Sequence, residues 1–145
     1  VTIPESIDYM TTVGDLGKAV DTAFRHLKPG GVFLAVAHLR EQFRENNFVY
    51  EGRGRGVSVT VFENNALVGR NGYEATLVYL VRRGKGLEVF SERHALGLFD
   101  GATWARLLSK RGFSVQRRKG GNEYDRFLLN EGGYPQVIFV CRKAR

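Results

Sequence analysis

At 145 residues, 43% hydrophobic and 26% charged, the chain is long enough for one packed core and has the mix of a globular domain rather than a disordered segment. The longest apolar run, Val32–Ala37, is far short of a membrane span. Thr2, Pro4 and Glu5 interrupt any leader pattern, and the lone Cys141 leaves no internal disulfide or cysteine-held zinc, a combination expected of a cytoplasmic protein.

The net charge of +7 suits either an anionic partner such as nucleic acid or a bland cause, a solvated basic surface or a fragment whose acidic half is missing. The basic residues favour the second, because they come from many separate segments: Arg53, Arg55, Arg70, Arg82, Arg83, Arg117, Arg118 and the tail Arg142, Lys143, Arg145.

In chain order, the first element is a helix over 13–27. Thr12 and Asp15 have capping-box spacing, and Val13, Leu16, Val20, Ala23, Phe24 and Leu27 fall on one face. Lys28-Pro29-Gly30-Gly31 stops it. The unbroken apolar run Val32–Ala37 then predicts a central parallel strand covered on both faces, as in an α/β sheet. Ligands in such sheets sit beyond the carboxyl ends of the strands, here at His38.

The stretches 57–63, 74–82 and 87–93 are rich in Val, Thr, Tyr and Phe. Separated by Asn64-Asn65 and Gly84-Lys85-Gly86, they predict a three-stranded antiparallel meander, with Gly52-Arg53-Gly54-Arg55-Gly56 as a flexible loop before it. Asp100 caps a second helix reaching about Arg111, whose apolar face is Trp104, Leu107 and Leu108, and Gly112 ends it. A strand starts at Phe113, a polar loop spans 119–136, and a last strand covers 137–141.

Three segments in this order resemble the C-terminal half of a class I S-adenosylmethionine-dependent methyltransferase. "SIDYMTTVGDL" (6–16) is similar to the loop after the fourth strand of that fold and the helix behind it. "HLKPGGVFLAV" (26–36) resembles the approach to the fifth strand. "SERHALGLFDGATWARLLSKRGFSV" (91–115) resembles the segment before the sixth. Within the family the look is that of the small-molecule and amino-sugar N-methyltransferases.

The resemblance implies an α/β fold, a partial Rossmann-like methyltransferase sheet in a single domain over 1–145, with an antiparallel insert over 49–94 covering the substrate. On this reading Val32–Ala37 is a central parallel strand flanked by the first helix, and finding it at a sheet edge or in a helix would defeat the family assignment. In the family, a Gly-x-Gly-x-Gly loop and an acidic residue hold S-adenosylmethionine. Both would precede Ser6, where this sequence has five residues, and Gly52-x-Gly54-x-Gly56 does not stand between a strand and a helix. The chain is therefore expected to be a fragment, or one piece of a split or degenerate enzyme, inactive alone, whose partner is the missing N-terminal half or a second copy of itself.

The resemblance also suggests site residues. His94 follows an insert strand and is either the catalytic base or a structural histidine. His38 is either a substrate or cofactor contact or a capping or solvent-facing residue. Asp8 and Tyr9 are candidates for binding the small-molecule acceptor, and Ser6 and Ile7 for lining the cofactor's methionine end, with a plain helix-capping turn as the rival. His26, in the last turn of a helix, has no assigned chemistry, and Trp104 and the other aromatics are expected in the core. Two other function classes stay open: a basic module holding RNA on its antiparallel sheet, and a non-catalytic oligomerisation piece.

Overall fold

The computed structural model describes residues 6–144. The residues read for a leader (Thr2, Pro4 and Glu5) and Arg145 of the basic tail lie outside them. Two antiparallel sheets and two helices make up the fold. Helix α1 (Val13–His26) begins at Thr12, whose hydroxyl accepts from the Asp15 amide at 3.0 Å, and presents Leu16 and Val20 to the core. Helix α2 (Gly101–Arg111) begins at Asp100, whose carboxylate accepts from the Thr103 amide at 2.6 Å. It ends on Gly112 at φ 98°, a left-handed conformation that glycine adopts without strain.

The first sheet contains β1 (Val32–Ala37), β6 (Phe113–Lys119) and β7 (Val137–Lys143), ordered β1-β7-β6. Its register sets Phe33 beside Cys141, Ala35 beside Phe139 and Ala37 beside Val137, so alternate residues face one way. These pack with Leu16, Val20, Trp104, Leu108 and Phe113 as the main core. Trp104 is 1% exposed and stacks on Phe139.

Here the sequence reading needs correction. Strand β1 is not a central parallel strand. It lies at the sheet edge and pairs only with β7, antiparallel. Val32, Leu34 and Val36, on the face away from the core, are half-buried. An apolar run reports what covers the two faces of a strand and says nothing about which strands flank it.

The second sheet also differs from expectation. It has four strands rather than three, in the order β2 (Asn46–Gly54), β3 (Val57–Val68), β4 (Gly72–Arg83) and β5 (Gly86–Gly97). It therefore reaches beyond 49–94 at both ends. The glycine-arginine stretch is not a loop: Gly52–Gly54 end β2, and Arg55-Gly56, both at positive φ, form the hairpin turn. Asn64-Asn65 are not a turn either, but lie inside β3, and the chain reverses at Gly69 (φ 62°). Gly84-Lys85 is the third turn, with Gly84 at φ 57°.

A short 3-10 turn, η1 (Ser6–Tyr9), joins the two sheets by packing on β1 and β5. Gly97 permits this close approach, since a Cβ there would run into the Met10 carbonyl. The 120–136 segment folds back over the meander, with the Leu129 amide donating to the Asn47 carbonyl at 2.9 Å.

Candidate active site

The inner face of the meander, η1 and the 120–136 segment enclose a cleft of about 280 Å³. Its lining includes Ser6, Tyr9, Glu63, Asn65, Tyr73 and His94, with Tyr134 closing it from the loop. Strand pairing explains the grouping. Asn65, Ala75 and His94 are successive neighbours across β3, β4 and β5, so they share one face, and Glu63, Leu77 and Glu92 form the next such row.

The Tyr9 hydroxyl lies 2.8 Å from His94 Nδ1, with the rings edge to face at 5.8 Å. On its other side His94 Nε2 lies 3.3 Å from Glu92 Oε2. A carboxylate only accepts, so Nε2 carries the hydrogen and Nδ1 accepts from the Tyr9 hydroxyl. The Tyr79 hydroxyl donates to the same Glu92 oxygen at 3.3 Å. Burial, then the neighbouring Glu92 charge, pushes the Tyr79 phenol above its ordinary pKa and keeps it a donor.

Of the residues selected from the sequence, Ser6, Tyr9 and His94 line the cleft. Asp8 and His38 stand one layer behind it, 3% and 2% exposed. Asp8 accepts from the Tyr73 hydroxyl at 3.3 Å. His38 packs at 4.2 Å on the Tyr134 ring and edge-on to Tyr73, and its Nδ1 is 3.2 Å from the Pro135 carbonyl. Ile7 packs on the main core and borders a separate groove of about 570 Å³ between α1 and the open edge of β1, which Ser6 also borders. His26 lines that groove too.

Sequence reasoning missed Glu63, Asn65, Tyr73, Glu92 and Tyr134. The alternation Glu63, Asn65 on one side and Phe62, Asn64 on the other was a usable signal, hidden by reading Asn64-Asn65 as a turn.

No protein-family model matches the sequence, and no curated protein matches it by sequence. Solved structures do match by fold. DesVI of Streptomyces venezuelae superposes with a TM-score of 0.81 at 25% identity, over 99% of this chain and 58% of that one. The sugar N-methyltransferase KedS8 from Streptoalloteichus gives 0.75 at 20% identity, over 99% and 56%. CalS10, an amino pentose methyltransferase from Micromonospora echinaspora solved with S-adenosylmethionine bound, gives 0.74 at 19%, over 96% and 57%.

The chain thus spans under two thirds of the length of each of these structures. The expectation that an edge position for β1 defeats the family assignment is overturned by the shared fold, because a strand's neighbours depend on which part of a sheet a chain contains. The chain has the fold of one part of an S-adenosylmethionine-dependent methyltransferase, in keeping with the C-terminal half.

Proposed function

We propose that this chain is the substrate side of a cytoplasmic methyltransferase that acts on a small molecule, and that it is inactive alone. One observation carries the proposal: a hydrogen-bonded line Tyr9–His94–Glu92 opens on a cleft, in a fold shared with sugar methyltransferases.

S-adenosylmethionine, when bound, supplies a methyl group on a sulfonium. The residues described here fit only one end of it. Ser6 stands where groove and cleft meet, with Ile7 beside it in the groove. Among the described residues the groove's other polar side chains are Thr22 and His26, neither of them a carboxylate that could hold a ribose or an ammonium group.

His94 is the base in this reading. The acceptor amine or hydroxyl sits against the hydroxyl of Tyr9, a half-exposed residue of the cleft lining. As the methyl arrives, the acceptor proton passes to the Tyr9 oxygen while the Tyr9 proton moves to His94 Nδ1. The resulting imidazolium lies against the Glu92 carboxylate, which stabilises its charge. Asp8 and His38 act through the aromatic wall: Asp8 by holding the Tyr73 hydroxyl, His38 by packing on Tyr73 and Tyr134.

The open edge of β1 and the apolar groove beside it receive the rest of the fold, in the same protein or from a second copy of the chain. That part holds most of the cofactor. Calorimetry tests the division. The chain alone gives no heat of binding with micromolar S-adenosylmethionine, and the complete protein binds stoichiometrically. Stoichiometric binding by the isolated chain would refute it.

A further inference from the structure

Basic residues that are scattered along the sequence are gathered by the sheet topology. In the order β2-β3-β4-β5 the β2–β3 and β4–β5 turns lie side by side at one end of the meander. There Gly54 pairs with Val57, Val57 with Arg83 and Arg83 with Gly86. Arg53, Arg55, Arg82, Arg83 and Lys85 therefore share that end, all of them exposed. Its carboxylates are Glu51 and Glu88, so the end holds three of the chain's seven net positive charges. Glu88 pairs with Arg83 at 2.9 Å, and Glu51 lies in the row beyond Arg53, on the same face. Arg53, Arg55, Arg82 and Lys85 have no ion pair among the described residues.

Two further features of this end have no cause within the fold. Arg55 sits at φ 46°, the only described residue other than glycine in the left-handed region, where glycine or asparagine is easier to place. Gly52 and Gly54 lie in β2 without a positive φ, and a Cβ at either would meet nothing within 4 Å. Glycine weakens a strand, and here neither conformation nor crowding calls for it. Each departure sets a cation at a turn apex or leaves bare backbone beside one.

The arrangement suits phosphates. Arg53 and Arg82 share one row and one face, with Ser58 between them, roughly 9–10 Å apart between backbones. Long side chains on that span reach successive phosphates, or phosphates facing each other across a groove of roughly 6–12 Å. Four of the five cations are arginines, whose planar fork grips phosphate oxygens in pairs. Bare glycine backbone lets a stiff polymer lie close. A bilayer fits less well, because Leu87 alone of the exposed large apolar side chains adjoins the turns. A single strand fits less well too, because the exposed rings Phe62 and Phe90 lie on opposite faces and offer no stacking platform.

We infer that the turn end of the meander docks the phosphodiester backbone of duplex nucleic acid, without reading its sequence. Arg83 is eight residues along β4 from Ala75 in the cleft lining, roughly 26 Å at about 3.3 Å per residue. The inference is independent of the proposed methyl transfer.

The test titrates the chain into fluorescent DNA and RNA duplexes of about two helical turns, followed by anisotropy as salt rises from about 50 mM. With DNA the log–log salt slope is about −3.6, the value for four phosphate contacts. Arg53→Gln, Arg55→Gln and Lys85→Gln together bring the slope to about −1 and weaken binding more than about tenfold. Arg25→Gln, Arg106→Gln and Arg118→Gln, which remove the same charge from exposed positions elsewhere, leave the slope unchanged. Arg55→Gly separates docking from folding: it relieves the positive φ, so the chain melts no lower than wild type, yet its slope is smaller by about one.

Binding to either duplex with these slopes supports the inference, and the preferred duplex names the source. No binding to either overturns it. So does an equal loss in the control variant, the outcome if net charge alone is read. Equal binding to poly-glutamate or to phosphatidylserine vesicles overturns it as well, since the site then holds any polyanion or a lipid surface.

Discussion

Replacing His94 by alanine separates a catalytic from a structural role. The side chain is 29% exposed and makes two hydrogen-bond contacts and one edge-to-face ring contact. Its bond to Glu92 reaches a half-exposed carboxylate and contributes little to stability. Loss of the Tyr9 hydrogen bond and the ring contact together costs about 1–2 kcal/mol. For a chain of this length that is a fall in Tm of about 2–8 °C. Removing a positioned base costs more: about a hundred- to ten-thousandfold in turnover, or about 2.7–5.5 kcal/mol of barrier.

The assay pairs denaturant unfolding of the chain with single-turnover methyl transfer by the intact enzyme at saturating cofactor. Tyr9→Phe is the control. It keeps the ring contact and loses the hydroxyl, so it should leave stability nearly intact while lowering turnover if the proton passes through Tyr9. An unchanged turnover in His94→Ala, or a loss of stability above about 4 kcal/mol, would show that His94 serves the fold rather than the chemistry.

Three further outcomes are expected. The chain self-associates, because β1 and β5 are edge strands and β1 borders an apolar groove; light scattering that finds only monomer at high concentration would show that the fold needs no cover there. Gly97→Ala destabilises the chain by about 1–3 kcal/mol, since the new methyl meets the Met10 carbonyl, and it moves Tyr9 off His94; a thermal melt identical to wild type contradicts the close approach. The Asp100 pKa is lowered mainly by the Thr103 backbone amide, so its contribution of about 1 kcal/mol is fully present above the ordinary carboxylate range and lost as pH falls through the lowered value; Asp100→Ala should remove that part of the acid dependence of unfolding.

Sequence patterns located most elements of this fold because each rests on a local cause. Thr12 and Asp100 cap helices through their own side chains, and Gly112 ends one because only glycine takes that conformation easily. Strand neighbours are a different kind of fact. Nothing in Val32–Ala37 encodes that Val137–Lys143 would lie beside it in the opposite direction. The two asparagines show how a sound local rule fails. Asn64-Asn65 has turn chemistry, yet Asn65 finds partners in Glu63 and Asn46, and those side-chain bonds suit an extended strand.

The same limit governs the site. Tyr9 and His94 are 85 positions apart and meet only because Gly97 lets η1 lie against β5. Tyr134 reaches the cleft from a loop whose polarity reads as plain solvent exposure. His38 stands where a ligand edge was expected, but the aromatic rings of Phe43, Tyr73 and Tyr134 bury it behind the cleft wall.

The position of β7 governs the order of assembly. This strand is the last of the described elements, yet it lies between β1 and β6, so Leu34 and Gln116 both wait for Val140. The meander closes through turns of two and three residues and can form while a ribosome is still making the rest. The core sheet of this chain cannot, because β1 and β6 do not pair with each other and are joined only once Val137–Lys143 comes between them. During synthesis, then, the inner face that carries His94 is built before the floor it stands on. Until then Phe33, Ala35 and Ala37 lack their partners Cys141, Phe139 and Val137, so the sheet side of the core stays open to other chains and the docking of β7 governs yield.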